Sequence, residues 1–318
     1  MRIINCSGFG NTGCTAQTDF LSDHTGVSGI LKPYHELGVL KCAYSFGGIL
    51  LSVIQKWKHT PTKIELKKSL MGIDPKGRLP MSEGARMHLE LRALLAQRTP
   101  NYENIVDNAI SRLPDQYAKM DLTTLIFYMR NAVGEYIFGL SKNLKTGHFA
   151  ASEYDAQTSV LGFKNDPPGA YPIFASLLKG GLSSAIIRDP RDTTYDFNRH
   201  YGLGHSMDTV KNHCTHFNAQ LNSARQQINQ FENHIQPFYK VIDFENLIIS
   251  EDFRNTYRDH MVGNRERVRH TFDPKKSKVN IGHHTNMLPE YIKYVEDTCM
   301  ENYLSFRNFC KERDLLLE

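Results

Sequence analysis

The stretch that most constrains this chain is its N-terminus, Met1-Arg-Ile-Ile-Asn-Cys-Ser-Gly-Phe-Gly-Asn-Thr-Gly-Cys-Thr-Ala-Gln-Thr-Asp-Phe-Leu21. Ile3-Ile4 reads as a strand buried in a sheet; Gly8, Gly10 and Gly13 break it, and Thr15 to Leu21 resumes at helical spacing. A strand, a glycine-rich turn and a helix in that order point backbone N–H groups at an anion, and the helix N-terminus adds its positive end. Gly8-Phe-Gly-Asn-Thr-Gly-Cys-Thr15 fits the phosphate-cradling pattern G-x-x-x-x-G-K-[ST] at every fixed place but one, where Cys14 stands for the lysine. That lysine reaches the β- and γ-phosphates of a nucleoside triphosphate, so its loss argues against ordinary ATP chemistry. A glycine-rich turn that binds nothing is the bland alternative; the position directly after a strand favours phosphate binding.

The rest of the chain has to supply a sheet for that strand. At 318 residues, 40% hydrophobic and 23% charged, it has ample core for a soluble α/β protein. A net charge of +4 permits an anionic ligand without implying nucleic acid, which calls for a more basic, clustered face. The longest apolar run, Phe46 to Ile54, is far short of the ~20 residues of a membrane span. With Met1 as the start, the missing basic and apolar leader regions predict no signal peptide and a cytoplasmic protein. The 6 cysteines form no C-x-x-C pair, so reduced thiols are expected. His213-x-x-His216 and His283-His284 lack acidic or thiol companions at ligand spacing, and no metal site is expected.

Along the chain, Ile30 to Leu40 reads as a short strand running into a loop, which places Tyr34, His35 and Glu36 at a strand's carboxyl end, where α/β sheets bind ligands. Residues 46 to 145 read as mainly helical: Ser82 to Gln97 with Ser82 as cap, Asn101 to Arg112, and Leu122 to Leu140. The basic run from Lys56 to Arg78 is a solvated face or a rim for an acidic acceptor. Ser159 to Phe163 and Ser183 to Ile187 read as strands, the second ending in Arg188-Asp-Pro-Arg-Asp192. Asp189 caps a helix with Pro190 in its first turn. An arginine held at a strand end suits bidentate phosphate recognition; a structural salt bridge to Asp192 is the alternative. Ser206 to Ile235 is a long polar helix, Phe238 to Ile249 a strand turning into a loop, and Asp252 to Met261 a helix. Pro289 to about Arg313 closes the chain as a helix with a stripe of Ile292, Val295, Cys299, Tyr303 and Phe306.

Three of these segments together resemble the P-loop sulfotransferase superfamily. Asn11-Thr-Gly-Cys-Thr15 is similar to that family's phosphosulfate loop, and Ile186-Ile-Arg-Asp-Pro-Arg-Asp192 to its strand-end Arg-x-Pro-x-Asp segment. Val241-Ile-Asp-Phe-Glu-Asn-Leu247 is similar to its late Val-x-Tyr-Glu-Asp-Leu strand. Bacterial carbohydrate sulfotransferase-like proteins are the nearest sub-group. The resemblance implies an α/β P-loop three-layer fold with a central, mainly parallel sheet, built as a single domain over 1–318 with a large helical insertion at about 46–145. It implies transfer of a sulfuryl group from 3′-phosphoadenosine 5′-phosphosulfate (PAPS) to a hydroxyl of a carbohydrate or similar acceptor, with no metal.

On that reading Gly10, Asn11, Thr12, Gly13, Cys14 and Thr15 hold the 5′-phosphosulfate and Arg188 grips the 3′-phosphate. Lys275, Lys276 and Lys278 match the family's late basic loop, which closes over the nucleotide. Two positions depart from the family: Asn11 stands where it has a basic residue, and Asp196 where it has the serine that also binds the 3′-phosphate. A carboxylate beside a phosphate is repulsive unless a cation intervenes. His35 or Glu36 is expected as the base, and Lys164 as the cation replacing the one lost at Asn11. The rivals are a kinase-like phosphotransferase, with Asp189 and Asp192 holding Mg²⁺ and Thr15 as its hydroxyl ligand, and a degenerate, non-catalytic module that binds a nucleotide or an acidic glycan.

Overall fold

A computed structural model describes residues 2–10, 12–29, 40, 44–75, 83–143, 160–164, 169–178, 180–200, 202–204 and 206–318. In chain order its strands are β1 (Arg2–Gly8), β2 (Val27–Gly29), β3 (Val160–Lys164), β4 (Leu182–Ile187) and β5 (Tyr239–Asp243). Its helices begin with α1 (Cys14–Ser22), α2 (Phe46–Ile54), α3 (Lys63–Leu70), α4 (Glu83–Arg98), α5 (Tyr102–Ser111) and α6 (Leu122–Asn143). They continue with α7 (Pro190–His200), α8 (Met207–Ile235), α9 (Phe244–Ile249), α10 (Glu251–Met261), α11 (Pro274–Lys278), α12 (Pro289–Val295) and α13 (Glu301–Glu312). The result is an α/β protein. β2 and β3 pair in parallel, and so do β4 and β5.

The chain divides into two compact units. The first comprises Met1–Asn5, Gly26–Pro167 and Phe174–Gly181. It holds the parallel pair β2–β3, in register from Val27 with Val160 to Gly29 with Gly162, and the helices α2 to α6. Amphipathic spacing buries Val106, Ala109, Met129, Val133 and Tyr136 where α5 meets α6. The buried Tyr102 hydroxyl lies 2.7 Å from that of Tyr136 and donates to the Leu70 carbonyl, which satisfies polar groups a dry helix interface would otherwise strand. The basic run resolves in part as a paired surface: Lys63 meets Asp115 at 2.6 Å, and Lys67 meets Glu103 and Asp107. No described helix is long and apolar enough to cross a membrane.

The second unit comprises Cys6–Thr25, Pro168–Ile173 and Leu182–Glu318. Successive residues of β4 and β5 are buried, so both faces of these two strands are covered. Their parallel register sets Ile187 opposite Asp243, so the two residues that follow, Arg188 and Phe244, leave the sheet side by side. α8 buries Val210, Cys214, Phe217, Leu221, Ala224 and Ile228 at alternating three- and four-residue steps. Ser206 and Thr209 close its N-terminus as a reciprocal capping box. Two expectations change here. The segment after β5 is a helix, α9, not a loop, and the C-terminal helix passes through a π-turn at Glu296–Met300 between α12 and α13. Cys6, Cys14, Cys214, Cys299 and Cys310 are buried and form no disulfide.

Candidate functional site

Every group described in this section lies in the second unit. β1 and β4 end side by side, with the Ser7 hydroxyl donating to the Ser184 carbonyl at 3.1 Å. Beneath the turn that follows β1, Gln17 of α1 donates to the Ser7 carbonyl at 2.9 Å and accepts from Ser184 (2.7 Å) and from the Tyr257 hydroxyl of α10 (3.0 Å). All four of these residues are buried, so the network fixes the start of α1 against the strand ends. Phe9 is 1% exposed and packs edge to face on Phe306 at 5.5 Å, which anchors the turn's entry.

The turn admits few substitutions. A Cβ at Gly8 would fall 2.3 Å from the Thr12 hydroxyl and 2.7 Å from the Cys14 sulfur. Gly13 has φ +107°, and a Cβ there would fall 2.4 Å from the Phe244 ring. The fully buried Thr12 hydroxyl accepts the Phe9 N–H at 3.1 Å, so it serves the turn itself. The Cys14 side chain packs beneath the turn, while Thr15 is exposed. No side chain caps α1 at Gly13. Its first-turn amides at Thr15 and Ala16 have no intrahelical acceptor, and they carry the positive end of the helix dipole.

Arg188 is held on three sides. Its guanidinium donates to Asp196 Oδ2 at 2.6 Å and to the Asn280 carbonyl, and it lies 4.8 Å over the Phe244 ring. Its salt bridge is therefore to Asp196, one turn beyond the expected Asp192. Asp192 is buried and accepts from the backbone of Gly282 and His284 and pairs with the His284 ring at 2.7 Å. Asp189 caps α7 by accepting the Arg191 N–H at 2.8 Å and also binds the Arg191 guanidinium. Burial alone would raise its pKa, but the Arg191 hydrogen bonds outweigh that and hold it below the usual carboxylate value. Asp189 and Asp192, the pair a phosphotransferase would give to Mg²⁺, are thus engaged by protein partners. Glu245 accepts the Asp189 N–H at 3.2 Å; burial raises its pKa and nearby Asp243 adds to the rise. Asp243 itself is bound through both oxygens to Arg307, at 2.9 and 2.5 Å.

The segment from Thr271 to His284 is strapped between Asp23 at one end and two acids of α7 at the other. At one end Asp23, fully buried, accepts from the Thr271 and Phe272 amides at 2.8 and 3.1 Å and from Arg267 at 2.7 Å. At the other end stand Asp192 and Asp196 of α7. Between them runs α11, capped by Asp273, whose carboxylate accepts the Lys275 N–H at 2.9 Å. An open cleft of about 250 Å³ lies where this strap passes the start of α1. Gly13, Thr15, Phe244, Lys276, Ser277 and Asn280 line it, together with the carboxylates of Asp19 and Asp273.

The structure thus gathers Gly13, Thr15 and Lys276 at one cleft and joins them to Arg188 and Asp196 through Phe244 and Asn280. Gly10 is in the turn, but a Cβ there would meet open space; Lys275 and Lys278 are exposed on α11. Asn11, His35, Glu36 and the Lys164 side chain, along with the strand expected at Ile30 to Leu40 apart from Leu40, lie outside the described residues. Phe244, Asn280 and Asp23 are the residues that sequence reasoning missed. Asp273-Pro274, a helix cap followed by a first-turn proline, was the available signal for a turn beside the lysines.

A donor of the PAPS type can be tested against these groups. The first-turn amides, Thr15 and Lys276 suit a phosphosulfate. The Arg188 fork is filled by Asp196, so a 3′-phosphate fits only if that carboxylate yields. The cleft volume, about 250 Å³, falls below the roughly 300–1,000 Å³ of pockets that enclose a whole ligand, leaving room for the anionic end of a nucleotide. Comparison of the chain with family models, with curated proteins and with solved structures finds no match in any of the three.

Proposed function

We propose that the protein is a transferase on a P-loop-type three-layer α/β fold, moving a sulfuryl group from PAPS to a hydroxyl of a carbohydrate or similar acceptor. One observation carries the reading: the three segments that resemble sulfotransferases, far apart in sequence, meet at the Phe244 ring. The Gly13 turn packs on that ring, Arg188 lies over it, and it lines the cleft with Lys276 and Asn280.

In this reading the Thr15 and Ala16 amides and the Thr15 hydroxyl hold the phosphosulfate, while Arg188 receives the 3′-phosphate in exchange for Asp196. Lys276 brings positive charge to the cleft, and the cation's role that Asn11 leaves open is assigned to Lys164. The acceptor oxygen forms its bond to sulfur as the bond from sulfur to the 5′-phosphate oxygen breaks. The acceptor's proton passes to His35 or Glu36, and the electron pair leaves on the phosphate. A second reading, a nucleotide-binding module without turnover, is favoured by the Arg188–Asp196 pair alone.

Calorimetric titration with adenosine 3′,5′-bisphosphate, ATP–Mg²⁺ and GTP tests the proposal. Saturable binding of the bisphosphate in preference to the triphosphates supports it, and no binding of the bisphosphate removes it. Release of adenosine 3′,5′-bisphosphate from PAPS in the presence of a polysaccharide acceptor separates an enzyme from a module.

A further inference from the structure

Asp196 is an anion built into an anion-binding position. Its Oδ2 sits 2.6 Å from the Arg188 guanidinium, with side-chain exposures of only 3% for Arg188 and 13% for Asp196. An arginine fork this far from water, backed by the Phe244 ring and a backbone carbonyl, is a strong receptor for one carboxylate or one phosphate oxygen pair. It does not serve both at once, because two anions on one guanidinium in a poorly solvated site repel each other. The surroundings also give Asp196 somewhere else to go. Its other oxygen, Oδ1, faces the His283 ring at 3.4 Å and Arg199 at 3.8 Å. Both distances exceed that of a good charge-assisted hydrogen bond. On α7 the other acid facing this loop, Asp192, is fully committed to Gly282 and His284.

We infer that Asp196 is the specificity-determining residue of the site: an internal competitor that occupies Arg188 and sets how strongly a second phosphate on the nucleotide is accepted. This rests on the nucleotide-binding reading above. The affinity gained from the 3′-phosphate is reduced by the preference of Arg188 for Asp196, while binding of the 5′ end at α1 and Lys276 is untouched. The chain therefore discriminates weakly between nucleotides with and without a 3′-phosphate, and removing the Asp196 charge sharpens that discrimination.

The experiment measures dissociation constants for adenosine 3′,5′-bisphosphate and adenosine 5′-monophosphate, which differ only in the 3′-phosphate, on the full chain. Asp196→Asn, close in shape, and Asp196→Ser are compared with the unmodified protein. Thermal unfolding and circular dichroism confirm that each variant is folded, and Asp196→Asn guards against loss of structure in Asp196→Ser. The expected result is a ratio of the two constants that rises at least tenfold in favour of the bisphosphate in Asp196→Asn, with monophosphate affinity unchanged within twofold. A ratio that stays the same or falls, with both nucleotides still binding, overturns the inference and leaves the nucleotide site standing. If neither nucleotide binds the folded unmodified protein, the functional reading fails and the inference with it.

Discussion

Gly13→Ala against Gly10→Ala is the sharpest mechanical test of the site. Both glycines have positive φ, +107° at Gly13 and +80° at Gly10. An L-residue in the left-handed region costs roughly 1–2 kcal/mol, and both variants incur that cost. They differ in what the new methyl meets: open space at position 10, the Phe244 ring at 2.4 and 2.7 Å at position 13. Forcing a methyl into packed atoms adds roughly 1–3 kcal/mol. Gly13→Ala should therefore lose about 2–5 kcal/mol in all and exceed Gly10→Ala by about 1–3 kcal/mol. Urea unfolding followed by circular dichroism measures this, since the single tryptophan, Trp57, reports on the first unit. Because the ring that moves also underlies Arg188, Gly13→Ala should weaken binding of adenosine 3′,5′-bisphosphate more than Gly10→Ala does. Equal losses for the two variants, within ~0.5 kcal/mol, would refute the close packing of turn on ring that joins the three segments.

Asp23→Ala leaves Arg267 and two backbone amides without their buried acceptor. It should cost roughly 3–5 kcal/mol and speed hydrogen exchange across Thr271 to Asn280; exchange that stays slow there would contradict the strapped geometry. Lys276→Gln, on an exposed side chain, should leave stability within ~0.5 kcal/mol yet weaken nucleotide binding several-fold, and unchanged affinity would remove Lys276 from the site. His213, buried against Thr194 at 2.9 Å, has its pKa lowered from 6.5 to about 4 by burial and then by nearby His216. The unfolded chain takes up that proton first as pH falls, so stability declines between pH 6.5 and about 4, by up to roughly 3 kcal/mol. His213→Phe should flatten that part of the stability profile, and an unaltered slope would contradict the assignment.

What the sequence revealed about the site follows from the range of the interactions involved. The glycine spacing after Ile3-Ile4 showed β1, the turn and α1, because backbone conformation there is dictated locally. Ile186-Ile187 before Arg188-Asp189-Pro190 showed β4 and the start of α7 for the same reason. Which carboxylate Arg188 would choose was not local: Asp192 and Asp196 both lie on its side of α7, and the choice fell to the strap, whose amides at Gly282 and His284 take Asp192. Phe244 looked like one more apolar residue after a strand. Its role emerges from the β4–β5 register, which sets it beside Arg188, and from the missing Cβ at Gly13. Likewise, nothing in the spacing of Lys63 and Lys67 pointed to acids some 40 to 52 residues away. The run reads as a basic patch until the helices pack.

Hydrogen–deuterium exchange with and without adenosine 3′,5′-bisphosphate tests the central claim most directly, that two distant segments form one nucleotide cleft. The account predicts that saturating ligand slows exchange together in Thr15 to Asp19 at the start of α1 and in Thr271 to Asn280 along the strap. Protection of neither segment, or protection confined to the helices between Phe46 and Asn143, would contradict it.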